Sequence, residues 1–473
     1  MPLWTIAIPR RDPKLYVSAA AELLVYVKRQ GAATCASIHS RGPDKICGTA
    51  PGPIGLHAAW NAKREEQRRG NRRFASAKMN SSPMSVEFEQ VTGDCSTSET
   101  QGPEHRLPRR DWLLLPLIVL SVTIVFLGAS DLVADRMFPE TGQLSCAIID
   151  RFGLPRQKPN CVCRYKNPEG PLVEYRYNEC GYRSAKPCGM KPRDTVRVVV
   201  MGASVAWGLY IPAAETFGTR TEAALNRICS RPVEVQNMGG MVLFKDLPKL
   251  AREALGLTPD VIVLTVGPFD LEELAGTERP SNPHAQSIVG RTKLAWHNLM
   301  ARARQSKFVF AAYHYMLLDT QVLYEAYMHM GGSREVMRSP QTAEGDQMYA
   351  DFANALDRMM AKLAGSGVSV VVMAVPNRVA AAMVSNRSHL DGTDPLLFGR
   401  RISEIAVQHG AIALDVTPGF ANFAHAEQLY YPVDNHPNGD GHAVIGQALV
   451  DRLTDGSIPQ LAACRVTSQI AKH

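Results

Sequence analysis

Three residues in this chain have the types that nucleophilic acyl transfer needs. Ser204 stands in "VVVMGASVAWG", residues 198–208, where a run of β-branched and apolar residues ends in Gly202-Ala203-Ser204. Asp434 and His436 stand two apart in "PVDNHPNGDGHAVIGQAL", residues 432–449. A serine hydroxyl is a weak nucleophile until a base takes its proton. That base is usually a histidine whose tautomer is held by a carboxylate. Either the small-residue turn is plain punctuation between a strand and a helix, or Ser204 is a nucleophile at the mouth of a sheet. In the second case His436 is the base and Asp434 orients it.

The elements that must position these residues follow from periodicity. From residue 195 onward the chain alternates between strand and helix patterns. A continuous β-branched run predicts a buried strand over 196–202, and further strands are expected over 233–237, 260–267, 368–376 and 412–416. Helices are expected over 215–229, 246–257, 346–365, 398–410 and 439–453. This alternation implies an α/β fold with a mainly parallel sheet and helices on both faces. Ligands of such sheets sit at the C-terminal ends of the strands, and Ser204 lies at one such end. The Asp434–His436 loop precedes the last helix and can reach the same edge. A helical insertion is expected over about 271–345, including "FVFAAYHYMLLDTQVLYEAYMHM" at 308–330. Its aromatic stripe packs on the sheet in one reading and caps a substrate groove in the other.

Charge is unevenly distributed over the 473 residues. Residues 1–110 carry 17 Lys/Arg against 10 Asp/Glu, which accounts for the whole net charge of +7. The remainder is neutral, which argues against a nucleic-acid groove there. Residues 1–111 read as a disordered basic segment with a solvated charge run at 63–74, and the natural start could be Met79 or Met84. "WLLLPLIVLSVTIVFLGA", residues 112–129, is 18 residues without a charge, about the minimum for a bilayer-spanning helix. A transmembrane helix is expected over 112–134, the alternative being a buried core helix. Arg106, Arg109 and Arg110 precede the run, so the positive-inside rule places the N-terminus in the cytoplasm and the chain from about 135 outside.

Seven of the ten cysteines follow this run, five of them within 146–188. Such a cluster means disulfides in an oxidising compartment or a zinc site in a reducing one. "CVC" at 161–163 is a poor zinc spacing, so disulfides are favoured, with one thiol left over. Residues 135–194 are a Cys-, Pro- and Gly-rich extracytoplasmic segment without a clear helix or long strand. No P-loop, Gly-x-Gly-x-x-Gly or HExxH motif is present, so neither an organic cofactor nor a metal is expected.

Four blocks together resemble the SGNH (GDSL-like) hydrolases, over a little more than half the chain. "GASVAWG" (202–208) is similar to the family's Gly-Asp-Ser-x-x-x-Gly, "YIPAAETF" (210–217) to a stretch that often follows it in membrane-anchored bacterial members, "VLTVGPFD" (263–270) to the block that ends Gly-x-Asn-Asp, and "DNHPNGDGH" (434–442) to the closing Asp/His block. "YNECGYR" (177–183) resembles the lead-in of exported bacterial members. The resemblance implies a flavodoxin-like sheet in 195–473. It implies Ser204 as nucleophile, His436 as general base and then acid, and Asp434 as the residue that holds the imidazole. The oxyanion would be met by the backbone N–H of Ser204 and by Gly239 or Gly240 in "QNMGGMV". Ala203 replaces the family's Asp, outside the triad. The Asp434–His436 spacing is one residue shorter than in many members and resembles that of exopolysaccharide O-acetyltransferases. Phe269 stands where an oxyanion Asn is expected, and a phenyl ring cannot donate a hydrogen bond.

The expectation is a single-pass protein of a bacterial inner membrane, facing the periplasm or exterior. It would be a serine esterase or O-acyltransferase acting on acyl, chiefly acetyl, esters of envelope glycans. Its partners would be the ester substrate and the membrane, with no nucleic acid. The alternatives are a non-catalytic SGNH-like partner in exopolysaccharide assembly and a soluble cytoplasmic enzyme with a buried 112–129 helix. Four neighbours have open roles. His442 tunes the site or caps locally, and Asp270 caps a helix or lines the cleft. Trp207 packs beneath the serine turn, and Asn438 fixes the loop through backbone hydrogen bonds.

Overall fold

The computed structural model describes residues 111–150, 154–240, 244–278, 306–330 and 332–464. The basic segment with its charge run, Met79 and Met84 lies outside the described residues. The first element, α1 (Asp111–Met137), contains the charge-free run, and its span Leu114–Met137 is long and apolar enough to cross a membrane. Its apolar side chains are exposed all round, Leu115, Ile118, Val122 and Phe126 among them. A core helix would bury such a surface, so the helix is not part of this chain's interior.

The Cys-rich segment forms strands of two to five residues: β1 (Thr141–Gly142), β2 (Ala147–Ile149), β3 (Pro155–Gln157), β4 (Val162–Lys166) and β5 (Leu172–Arg176). They make a three-stranded sheet, β1-β4-β5, and a two-stranded one, β2-β3, all antiparallel. Strands this short show too few alternations to be read as strands from sequence. Disulfides Cys146–Cys161 and Cys180–Cys188 staple this segment, and Cys229–Cys464 ties the end of a later helix to the C-terminal turn. Cys163 is buried and is the free thiol among the described residues.

The main sheet has five parallel strands: β6 (Val196–Met201), β7 (Val233–Asn237), β8 (Val261–Val266), β9 (Ser369–Ala374) and β10 (Ile412–Asp415). The spatial order is β10-β9-β8-β6-β7. All six residues of β6 and of β8 are buried, Arg197 and Thr265 included, as strands covered on both faces require. The order reverses around β6, with β7 on one side and β8 on the other, and this is the flavodoxin-like switch point, the position at which sheets of this kind bind ligands.

Helices in chain order are α2 (Ser204–Trp207), α3 (Phe217–Ile228), α4 (Leu247–Leu255), α5 (Pro268–Glu278), α6 (Lys307–Met316), α7 (Thr320–Met330), α8 (Ala343–Leu363), α9 (Arg378–Ser385), α10 (Leu397–Gln408) and α11 (Gly439–Thr454). One face of the sheet packs Val199, Ile262, Leu264 and Val372 against α4, α5, α8 and α10. The other packs Val198, Val200, Val263 and Val371 against α3 and α11. The α/β architecture expected from the alternation is therefore present, and each expected strand and helix of the sheet region lies within a few residues of its range.

Of the range 271–345 expected as an insertion, residues 279–305 and 331 lie outside the described residues, and the rest holds most of α5 together with α6 and α7. The side chain of Asp131 on α1 accepts hydrogen bonds from Ser306 Oγ (2.7 Å) and Phe308 N (2.9 Å), at the start of α6. Phe138 then packs its ring on Phe310, His314 and Tyr315.

Candidate active site

Ser204 opens α2 directly beyond the C-terminal end of β6. The turn depends on Gly202, whose φ of +142° is unfavourable for residues with a Cβ and whose Cβ would lie 2.8 Å from the Thr265 carbonyl oxygen. Trp207 is buried and tilts against Tyr175 of β5, so it packs beneath the serine turn. Arg183 locks the end of this turn from the lead-in segment. Its guanidinium is buried, donates to the carbonyls of Trp207 (2.9 Å), Gly208 (2.5 Å) and Ile211 (2.6 Å), and lies 4.4 Å from the Tyr175 ring centroid.

The second half of the site is a folded-back loop. Tyr431 N–H donates to the His436 carbonyl and Asn435 N–H to the Tyr431 carbonyl, both at 2.9 Å. Asn435 has φ +66°, a left-handed conformation that asparagine tolerates better than most residues. That single reversed residue lets Asp434 and His436 meet: His436 Nδ1 is hydrogen-bonded to Asp434 Oδ1. His436 Nε2 lies 2.7 Å from Ser204 Oγ. With Nδ1–H donated to the carboxylate, Nε2 carries the lone pair that faces the serine hydroxyl. Asn438 fixes the far side of the loop, accepting from Asp440 N and Gly441 N and donating to the Gln428 carbonyl. The structure thus brings together all three residues singled out by type and spacing.

The glycines after β7 are placed differently. Gly239 N–H donates to Asn237 Oδ1 (2.8 Å), and Gly240 N–H donates to the Gly202 carbonyl (3.2 Å). Both amides expected to face an oxyanion are engaged within the protein. What Gly239 does supply is closeness: a Cβ there would lie 2.3 Å from Trp207 N and 2.5 Å from the Ala206 carbonyl carbon. Asn237 completes this contact by donating from Nδ2 to the Ala206 carbonyl. Phe269 lies in the first turn of α5 and is 39% exposed, so a ring stands where an amide donor was expected.

Asp270 caps. Its Oδ2 accepts from Gly267 N (2.7 Å) at the start of α5, the reach-back of a capping box. Burial of its carboxyl is the main cause that pushes its pKa up to about 7. His442 also caps: Nδ1 accepts from Phe217 N (3.2 Å) at the start of α3, and the ring stacks on Phe217. Its burial, helped by the positive charge of Arg183, pushes its pKa down to about 3, so it stays neutral.

Sequence reasoning missed Arg183 as well as Glu169 and Arg378, which hold the His436 loop from outside. Glu169 sits in "NPEG", residues 167–170, a turn signature, but nothing in the sequence shows which way its carboxylate points.

No family model matches the chain, and no curated protein matches it. Solved structures do show similarity. The lipase/acylhydrolase of Enterococcus faecalis aligns over 55% of this chain and 95% of its own, at 13% identity and a TM-score of 0.32. A mutant of an acetyl-xylooligosaccharide esterase from Geobacillus aligns over 54% of this chain and 93% of its own, at 12% identity and a TM-score of 0.31. A member of the lipolytic G-D-S-L family from Veillonella parvula aligns over 54% and 97%, at 12% identity and a TM-score of 0.29.

Proposed function

We propose that this chain is an SGNH-type serine esterase or O-acyltransferase. The observation that carries the reading is one relay: Ser204 Oγ, His436 and Asp434 hydrogen-bonded in series at the switch point of the sheet. In this reading Ser204 Oγ attacks the ester carbonyl carbon while its proton passes to His436 Nε2. The tetrahedral intermediate collapses, His436 returns the proton to the departing alkoxide, and an acyl-serine remains. Water or an acceptor hydroxyl then attacks the acyl carbon. His436 takes the attacker's proton and returns it to Ser204 Oγ as the acyl group leaves. Asp434 keeps Nε2 facing the serine and stabilises the imidazolium. The backbone N–H of Ser204 is the oxyanion donor, since Phe269 cannot serve.

The substrate class is an acyl ester, and acetyl esters of envelope glycans are the members we favour. The chain would be anchored through α1 with the sheet on the outer side. The apolar helix with its preceding arginines and the three disulfides support that placement. A second reading has its own support: Phe269 and the engaged amides of Gly239 and Gly240 leave the oxyanion few donors. They favour a non-catalytic partner in polysaccharide assembly.

Turnover of p-nitrophenyl acetate by the full chain in detergent, wild type beside Ser204→Ala, separates the two. The catalytic reading expects a loss of at least ~10³-fold in the variant. Background rates in both, together with no labelling of Ser204 by a fluorophosphonate, would sink it in favour of the binding reading.

A further inference from the structure

Glu169 sits at the tip of the β4–β5 hairpin, in a turn closed by Gly170 N–H donating to the Asn167 carbonyl (3.0 Å). Its side chain is 1% exposed. Burying a carboxylate is costly unless donors surround it, so its partners show what it is there for. Val433 N–H reaches both of its oxygens (3.0 and 3.1 Å), and Asp434 N–H reaches Oε2 (3.1 Å). His314 Nδ1 of α6 lies 2.7 Å from Oε1. Two of its three partners are therefore backbone amides of the loop that carries Asp434, one of them Asp434's own.

The opposite polarity of this loop is held as well. Arg378, at the start of α9 and almost wholly buried, donates from Nη1 to the Pro432 carbonyl (2.8 Å) and from Nε and Nη2 to the carbonyls of Glu427 and Leu317. An anion takes the amides of Val433 and Asp434, and a cation takes the carbonyl of Pro432. The segment before His436 is clamped at both ends of its peptide dipoles.

We propose that Glu169 is a positioning residue for the Asp434–His436 pair, and that the β4–β5 hairpin is therefore part of the catalytic unit. The functional half of this inference rests on the esterase or acyltransferase reading. Glu169 touches neither substrate nor Ser204; it sets where the Asp434 carboxylate stands, and through it the ring of His436. Misplacing such a pair by a fraction of an ångström lowers the rate of chemistry more than it weakens substrate binding.

The test compares full-length wild type, Glu169→Ala and Glu169→Gln in detergent, with two readouts. The first is hydrogen–deuterium exchange of peptides covering 430–438. The second is kcat and KM for p-nitrophenyl acetate beside the rate of fluorophosphonate labelling at Ser204. In Glu169→Ala the amides of Val433 and Asp434 should exchange at least tenfold faster while peptides of β6 and β8 stay as protected as in wild type. The labelling rate and kcat should fall about 10²-fold with KM within about threefold. Glu169→Gln keeps an acceptor oxygen for the amides and should recover to within about tenfold of wild type.

Unchanged loop exchange in Glu169→Ala overturns the proposal whatever the enzyme does. So does faster loop exchange with undiminished labelling and kcat. So does exchange that rises across the whole sheet with no recovery in Glu169→Gln, since that marks a purely structural residue. A wild type that neither turns over nor labels defeats the esterase reading, and the positioning role with it, while the exchange comparison separately decides whether Glu169 holds the loop.

Discussion

The ring of Tyr210 meets the ring of His436 edge to face, with centroids 5.7 Å apart and planes at 87°. The Tyr210 carbonyl accepts the hydroxyl of Tyr431, and Tyr210 N–H donates to the hydroxyl of Tyr175, so the backbone beneath this ring is held on both sides. His436 thus has a carboxylate on one nitrogen, a serine on the other and an aromatic wall beside it. The wall limits the ring's freedom to swing away from Ser204.

Removing that wall should slow the chemistry without unfolding the chain. Tyr210→Ala should lower kcat for p-nitrophenyl acetate about tenfold, with KM little changed, while Tyr210→Phe, which keeps the ring, should stay within about threefold of wild type. Equal losses in both would place the effect in the hydroxyl and refute the wall.

Asn435 is the hinge that turns Asp434 toward His436, and its φ of +66° makes it sensitive to shape. Asn435→Val should cost about 1–2 kcal/mol of stability, and more than tenfold in kcat, because a β-branched residue is strained there. Asn435→Gly should keep both near wild type. Urea unfolding and steady-state rates on the two variants check this, and a tolerated valine would show that the loop does not need the reversed residue.

Gly239 allows β7's exit to touch the backbone of α2. Gly239→Ala should displace the helix that carries Ser204, because the added methyl meets main-chain atoms of Ala206 and Trp207 that cannot swing aside. Overpacking of this kind costs about 1–3 kcal/mol, and activity should fall well before the fold is lost. A Gly239→Ala variant with wild-type melting and turnover would contradict the close contact.

His442, buried, and Asp270, half-buried at the start of α5, pull stability in opposite directions with pH. Burial holds His442 near 3 against an ordinary value of 6.5, so the unfolded chain binds the extra proton and stability falls as pH drops below about 6.5. Burial raises Asp270 to about 7 from 3.8, so the folded chain binds the extra proton; that contribution is full below about 4 and is lost as pH rises to 7. Each slope is about 1.4 kcal/mol per pH unit, and the two nearly cancel between about pH 4 and 6.5. Asp270→Asn removes one of them. Its urea midpoint should fall relative to wild type as pH is lowered from 6.5 to 5, and a variant that tracks wild type over this range would defeat the assignment.

The sheet and the triad were legible in sequence for different reasons. β6 and β8 are largely β-branched, mostly apolar runs that end in small residues, and α8 and α10 keep a helical period, so their places could be read from chemistry along the chain. Ser204, Asp434 and His436 are types with few other uses at those positions. α9 was missed because "RVAAAMVS" is only eight residues long, too few turns to show a helical period along the chain. Glu169, Arg183 and Arg378 were missed because their partners are backbone groups, which every residue offers. The role of Gly239 was misread because a missing Cβ and a donating amide look the same in one-letter code.

The apolar run of α1 ends at Ala129, and Asp131 two residues on already grips the start of α6. From Phe138 the contacts run through His314 and Glu169 to Asp434 and His436 without a free stretch of chain. A chain held in a bilayer by this helix would therefore carry its serine on a rigid mast, not on a leash. Its working altitude above the lipid would be set by one helix end, and its substrates would have to be delivered to that height.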